Sequence, residues 1–329
     1  MTVTEPGAPT TGVPSSAPLL KARGASVEFT VRGRRGKTVV PAVQDIDLDI
    51  APGETLGLVG ESGCGKSTLG RALVRLADLT RGTLEFQGTQ IGELKGKPLR
   101  DLRRDLQLVF QDPMSSLNPR MKVRELIGEA PLVHGLATKD SLDDLVATAL
   151  ERVGMPRSAA DRYPHQFSGG QRQRIGIARA LALEPKFIVA DEPVSALDVS
   201  VQSQVVNLLV ELQRDLGLTY LFVAHDLAVV DYVSDRVAVM YLGRIVEIGT
   251  DEDIRERPRH PYTKALLAAA PEIGRTEAAA PLAGDVPSVV NPPSGCPFRT
   301  RCPIAEPQCA ESRPELRVVD GHQVACHLV

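Results

Sequence analysis

Near the start of the chain, "ASVEFTV" (25 to 31) and "VQDIDLDI" (43 to 50) alternate apolar and polar residues. That period of two is the pattern of half-buried antiparallel strands. A basic, glycine-punctuated "GRRGK" lies between them as a loop. The pattern then changes. "ETLGLVG" (54 to 60), "LQLVFQ" (106 to 111), "FIVAD" (187 to 191) and "YLFVAH" (220 to 225) are almost continuously apolar, as expected of strands covered on both faces. Between the last two, "SVQSQVVNLLVELQRDLG" (200 to 217) has helical spacing and stops at Gly217. From Val123 to Pro164 the spacing is again helical, and "SLDDLVATALERVG" starts at Ser141, a residue type suited to an N-cap. Strands alternating with helices predict an α/β core with a mainly parallel sheet. An antiparallel β-subdomain precedes it, and a helical insertion occupies about 112–170. The expected organisation is a disordered tail (1–20), a main domain (21–257) and a C-terminal extension (258–329).

Composition narrows this reading. The chain of 329 residues is 43% apolar and 24% charged, with a formal charge of −3. It can bury a substantial core, and it lacks the basic footprint of a nucleic-acid binder. No apolar run approaches the roughly eighteen residues of a membrane span. The Pro-, Thr- and Ser-rich start lacks the charge-then-apolar order of a signal peptide, so a cytoplasmic protein is expected.

The chemistry is concentrated in short segments. Residues 60 to 68, "GESGCGKST", match G-x-x-x-x-G-K-[ST] directly after a strand, the context that a phosphate-binding loop requires. Backbone N–H groups around Gly60, Ser62, Gly63, Cys64 and Gly65 can wrap a β-phosphate, and a helix N-terminus follows. Lys66 can reach the β and γ phosphates, Ser67 can ligate Mg²⁺, and Thr68 closes the loop. The alternative is a glycine-rich turn without ligand. Cys64 reads as a small loop filler whose pKa the helix start would lower. In "FIVADEP", Asp191 can meet the metal's water shell and Glu192 can polarise an attacking water; an acidic pair at a strand's end is otherwise a solvated loop start. His225, closing the next strand, fits a group that holds the γ-phosphate and water in line. A second anion-binding helix start, "FSGGQRQR", stands at 167 to 174. Ser168 and the N–H groups of Gly169, Gly170 and Gln171 suit a doubly charged phosphate.

The order of P-loop, Gln111 after a strand, "FSGGQ", "FIVADEP", "SALD" and His225 resembles an ABC-type ATPase cassette over roughly residues 21 to 257. The resemblance implies ATP and Mg²⁺ as cofactors and a head-to-tail pair of cassettes, in which the signature of one chain caps the γ-phosphate on the other's P-loop. It implies that Asp198 of "SALD" links the two sites. Gln111 would join Ser67 and Asp191 around Mg²⁺ and couple the γ-phosphate to transmembrane partners. One departure stands out: no aromatic residue lies between Phe29 and the P-loop to stack on adenine, which leaves Val40 or the Lys37 stem for that contact. "FQDPMSSLNPRMKV" (110 to 123), "RHPYTKALLAAAP" (259 to 271) and "MYLGRIVEIG" resemble the ATPase subunits of dipeptide/oligopeptide importers, whose relatives also serve nickel, opines and oligosaccharides. Implied partners are a paralogous ATPase subunit (a homodimer being the alternative), two transmembrane permease subunits and an extracytoplasmic binding protein, with no nucleic acid. The place implied is the cytoplasmic face of the membrane. Rival readings are a soluble, non-transport ABC ATPase and a sensor module built on the C-terminal cysteines.

Those cysteines, Cys296, Cys302, Cys309 and Cys326, follow a chain that otherwise contains only Cys64. Core packing does not cluster cysteines in this way, and a cytoplasmic compartment keeps thiols reduced. Zinc sites generally use pairs about two to four residues apart, whereas here the pattern is C-x5-C-x6-C-x16-C. Four thiolates on Pro-punctuated loops suit the larger cage of a [4Fe–4S] cluster better, and cysteine tails in the resembling importers are associated with one. Zinc and no metal remain the alternatives. His322 and His327 are expected as neighbours rather than ligands.

Overall fold

The computed structural model describes residues 17–33, 36–269 and 284–329. Most of the expected N-terminal tail therefore lies outside the described residues. Strand β1 (Leu20–Gly33) pairs antiparallel with β2 (Gly36–Ile50), Leu20 facing Ile50 and Phe29 facing Val40. Their alternation buries Val27, Val43, Ile46 and Leu48. The hairpin runs beyond the predicted ends into an exposed tip where Phe29 and Val39 meet solvent. Strand β3 (Thr55–Val59) is buried throughout and leads into helix α1 (Lys66–Leu73). Strands β4 (Arg81–Phe86) and β5 (Thr89–Gln90) complete a four-stranded antiparallel sheet in the order β2-β1-β4-β5.

After α2 (Gly96–Leu102) and β6 (Leu106–Val109) comes the helical insertion: α3 (Pro113–Ser116), α4 (Val123–Val133), α5 (Leu142–Arg152) and α6 (Gly169–Leu181). Ser141 occupies the N-cap position of α5, but its side chain does not cap the helix. Its hydroxyl instead accepts from the Thr138 N–H at 3.0 Å. The core then resumes with β7 (Phe187–Asp191), α7 (Val199–Leu216), β8 (Thr219–Val223), α8 (Leu227–Val233), β9 (Arg236–Tyr241) and β10 (Arg244–Thr250). Helices α9 (Asp251–Glu256), α10 (Pro261–Ala269) and α11 (Gln308–Glu311) and strands β11 (Arg317–Val319) and β12 (His322–Val324) end the chain.

The second sheet has eight strands in the order β11-β12-β10-β9-β3-β8-β7-β6. Strands β9, β3, β8, β7 and β6 are parallel, and β10, β12 and β11 continue the sheet antiparallel. Five-residue strands such as β7 and β8 are buried along their whole length, and each fully buried Leu, Val or Phe in them stabilises by about 1.5–3 kcal/mol. The extension is not a separate bead. Strand β12 pairs with β10, and Tyr262, Phe298, Cys296 and Cys309 belong to the same apolar core as β7 to β9. Among the described residues, no helix is long and apolar enough to cross a membrane.

Candidate functional site

The site assembles at the carboxyl ends of the parallel strands, where α/β sheets generally bind ligands. The loop after β3 turns sharply into α1 at Gly65, whose φ is +108°. A Cβ there would stand 2.2 Å from the Ala42 carbonyl oxygen, so only glycine fits. Ser62 and Gly63 lie on the exposed rim, and Ser67 and Thr68 are half-buried. Cys64 packs beneath the loop, where burial raises its thiol pKa. That overturns the expectation of an easily ionised thiol: desolvation outweighs the nearby Lys66 and the helix start. The Lys66 ammonium is itself buried and donates to the loop's own carbonyls, Gly60 O at 2.7 Å and Glu61 O at 3.2 Å.

Ser67 Oγ donates to Asp191 Oδ1 at 2.7 Å. Asp191 is buried at the end of β7, and desolvation raises its pKa against that hydrogen bond. A hydroxyl beside a buried carboxylate is the hard-oxygen donor set that Mg²⁺ takes, and a cation there would relieve the buried charge. These residues fit the metal.

Glu192 follows with φ +46°, a left-handed conformation uncommon for a side chain of its size and typical of functional strain. Gln111 donates from Nε2 to Glu192 Oε2 at 2.7 Å. The same oxygen lies 3.7 Å from His225 Nδ1. The ends of β6, β7 and β8 thus bring Gln111, Glu192 and His225 together. Gln111 was expected around the metal with Ser67 and Asp191; its amide is directed to Glu192 instead.

The second helix start is built differently. Ser168 caps α6: its Oγ accepts from Gln171 N at 3.3 Å, and Gln171 Oε1 accepts from Ser168 N at 3.0 Å. A Cβ on Gly170 would stand 2.3 Å from Val201 Cγ1, so this glycine also lets α6 approach α7. Asp198 occupies the N-cap position of α7 without a side-chain cap bond, and it is exposed.

Sequence reasoning missed two residues that touch the phosphate loop, Tyr262 and Arg301, and the loop residue they hold, Glu61. Glu61 donates its N–H to Tyr262 Oη at 2.9 Å. Its carboxylate accepts both arms of the Arg301 guanidinium at 2.7 and 2.9 Å. Partners 240 positions apart leave no periodic signal; an acidic residue inside a loop assigned to phosphate is the hint in the sequence.

The expected cluster geometry is not formed. Cys296, Cys309 and Cys326 are buried and Cys302 is half-buried. Burial first, then the other three thiols, pushes Cys296 up to about 11. Yet among the described residues no group of three or more His, Cys, Asp or Glu is arranged to hold a metal ion. The thiols are near enough to raise one another's pKa. His322 is taken by carboxylates, Glu247 and Asp253, each at 3.3 Å, and His327 Nε2 lies 3.0 Å from Ser312 O.

Residues 43–195 match the family described as ABC transporter, and residues 246–309 match the oligopeptide/dipeptide transporter C-terminal region. The oligopeptide transport ATP-binding protein OppF of Salmonella typhimurium is 53% identical over 291 residues, covering 87% of both chains. The dimeric ATP-binding cassette MJ0796, solved in a post-hydrolysis state with ADP and Pi, matches with a TM-score of 0.63 at 27% identity, over 70% of this chain and 98% of that one. The cassette cbiO1 of Clostridium perfringens, part of the transporter complex cbiONQ, matches with a TM-score of 0.64 at 30% identity, over 74% and 93%. The chain is an ABC-type ATPase cassette and belongs to the ABC transporter family, in the branch that carries the oligopeptide/dipeptide C-terminal region.

Proposed function

We propose that this chain is the ATP-hydrolysing subunit that powers import of dipeptides or oligopeptides from the cytoplasmic face of the membrane. The observation that carries this reading is the double match: an ATPase cassette and the oligopeptide/dipeptide C-terminal region lie in one chain, which is 53% identical to an oligopeptide transport subunit. That coverage disfavours a soluble, non-transport ATPase. Nickel, opines and oligosaccharides are the alternative cargoes within the same family. Two permease subunits and an extracytoplasmic binding protein complete the assembly.

In the site we assign Gly60 to Thr68 to the phosphates, with Lys66 leaving its loop carbonyls for the β and γ oxygens. Ser67 and Asp191 hold Mg²⁺. Glu192 takes the proton of the attacking water, and Gln111 and His225 steer its carboxylate and the γ-phosphate. Ser168, Gly169, Gly170 and Gln171 cap the γ-phosphate of a partner cassette, and Asp198 crosses between the two sites. The exposure of Asp198 and of Val199, 78% exposed beside it, supports a contact waiting for a second chain. A paralogous ATPase is the partner we favour, on the resemblance to one of two ATPase subunit types in such importers; a homodimer is the alternative. Val40 and the Lys37 stem, both on the second strand of the first hairpin, are the candidates for adenine. The extension's four cysteines we assign to a [4Fe–4S] cluster, supported by their number and by their mutual influence within one lobe; binding would require a different arrangement of the thiols from the one described.

Glu192→Gln tests the catalytic assignment. In the assembled transporter it should retain ATP binding and lose about 10² to 10⁴ in turnover, the scale of a general base, while accumulating an ATP-bound cassette dimer. Hydrolysis near the wild-type rate would overturn the role.

A further inference from the structure

We propose that Arg301 and Tyr262 are positioning residues for the phosphate loop, so that nucleotide binding and the conformation of the cysteine-bearing extension are energetically linked. The proposal rests on the assignment of residues 60 to 68 to ATP and goes beyond it. Three groups of one residue, Glu61, are engaged. Its carbonyl accepts from Lys66 Nζ at 3.2 Å. Its N–H donates to Tyr262 Oη at 2.9 Å. Its carboxylate is gripped by both arms of Arg301. Lys66 Nζ also donates to Gly60 O at 2.7 Å, the carbonyl of the same peptide whose N–H is held by Tyr262, so when Lys66 turns to a phosphate it releases a peptide that the extension holds from behind.

The grip is built to transmit. Arg301 is 4% exposed and Glu61 22% exposed, so the pair is largely shielded and forked, the strong form of an Arg–carboxylate contact. Its guanidinium also reaches Tyr241 Oη at 3.4 Å. Tyr241, Tyr262 and Phe298 pack ring against ring, with centroids 4.6 to 5.3 Å apart. Such packed aromatics move as a unit rather than deform. The turn that carries Arg301 also carries two of the cysteines: Arg299 N–H donates to Cys296 O, Arg301 N–H to Phe298 O and Ala305 N–H to Cys302 O. Displacing this turn displaces the fork.

A strut that merely pins the tail would raise thermal stability and leave nucleotide untouched. Linkage demands reciprocity: if the extension favours the ATP-bound loop, ATP must order the extension by the same factor. The test uses the full chain, with Mg–ATP affinity measured by displacement of a fluorescent ATP analogue. Amide hydrogen exchange is followed in residues 296 to 305. In the wild type, saturating Mg–ATP should slow exchange in that segment by about fivefold or more, the lower end of ordinary coupling. Glu61→Ala and Arg301→Gln should each weaken Mg–ATP by about tenfold and abolish the ATP-dependent protection. The double variant should be no worse than either single one, as for two halves of one interaction. If Arg301→Gln does not fold, Glu61→Ala decides, because it leaves the aromatic cluster intact. Wild-type affinity in Glu61→Ala, or a wild type that binds Mg–ATP without any change at 296 to 305, would overturn the linkage and leave the ATPase reading standing. A wild type that binds no Mg–ATP would overturn both.

Discussion

Single residues at the site divide by how far their partners lie along the chain. Gly65, Lys66 and Ser67 were legible because one loop contains both the donors and the turn that aims them. Asp191 and Glu192 were legible from four apolar residues ahead of them, which fix a buried strand and its end. The left-handed backbone of Glu192 was not, since strain there comes from neighbours that the segment does not contain. Nor was His260, which read as an ordinary polar residue before a proline. It is 1% exposed, and its Nδ1 accepts the Tyr262 N–H at 3.0 Å. Burial lowers its pKa from 6.5 to about 4. Between those values the unfolded chain takes a proton that the folded chain refuses, so stability falls as pH drops through the window, by at most about 3 kcal/mol. Asp251, raised to about 7 by burial and then by Asp231, works in the opposite direction, so the wild type alone is ambiguous. On going from pH 7.5 to 5, the wild-type denaturation midpoint should move further toward destabilisation, or less toward stabilisation, than that of His260→Gln. Equal shifts would refute the assignment.

At the level of elements, the core strands were legible as continuous apolar runs, because they are buried on both faces, and α7 because it is long enough to show a helical repeat. The extension escaped both signals. Strands β11 and β12 have three residues each, too short for alternation, and they are held by the pairing of β12 with β10 and of β11 with β12. Tyr262 and Phe298 looked like isolated aromatics until the fold stacked them on Tyr241. The cysteine spacing was visible, but spacing cannot say how far loops will close. Thiols whose pKa values are raised, as at Cys296 and Cys302, must shed protons to ligate, so metal binding would be coupled to pH. Protein purified without oxygen should be brown with broad visible absorbance, and Cys302→Ser should bleach it. Colourless anaerobic wild type would remove the cluster.

On the scale of the whole molecule, the two helix starts that we assign to phosphate differ in their local construction. The first is an open loop over buried Lys66, able to enclose phosphate. The second is a closed capping box, in which Ser168 and Gln171 satisfy each other and Gly170 is committed to the approach of Val201. A helix start satisfied in this way gains from a phosphate chiefly through its dipole and its remaining N–H groups, as expected of a lid that binds what another loop already holds. Putting bulk and positive charge at that lid should therefore spare the first site and damage the second. Ser168→Arg should bind Mg–ATP as wild type does in the isolated subunit. In the assembled transporter it should lose turnover by about a hundredfold or more, the scale of removing a positioned donor to developing negative charge. Loss of Mg–ATP binding by the lone Ser168→Arg subunit would mean that each chain uses its own signature, and two chains would not be needed to complete a site.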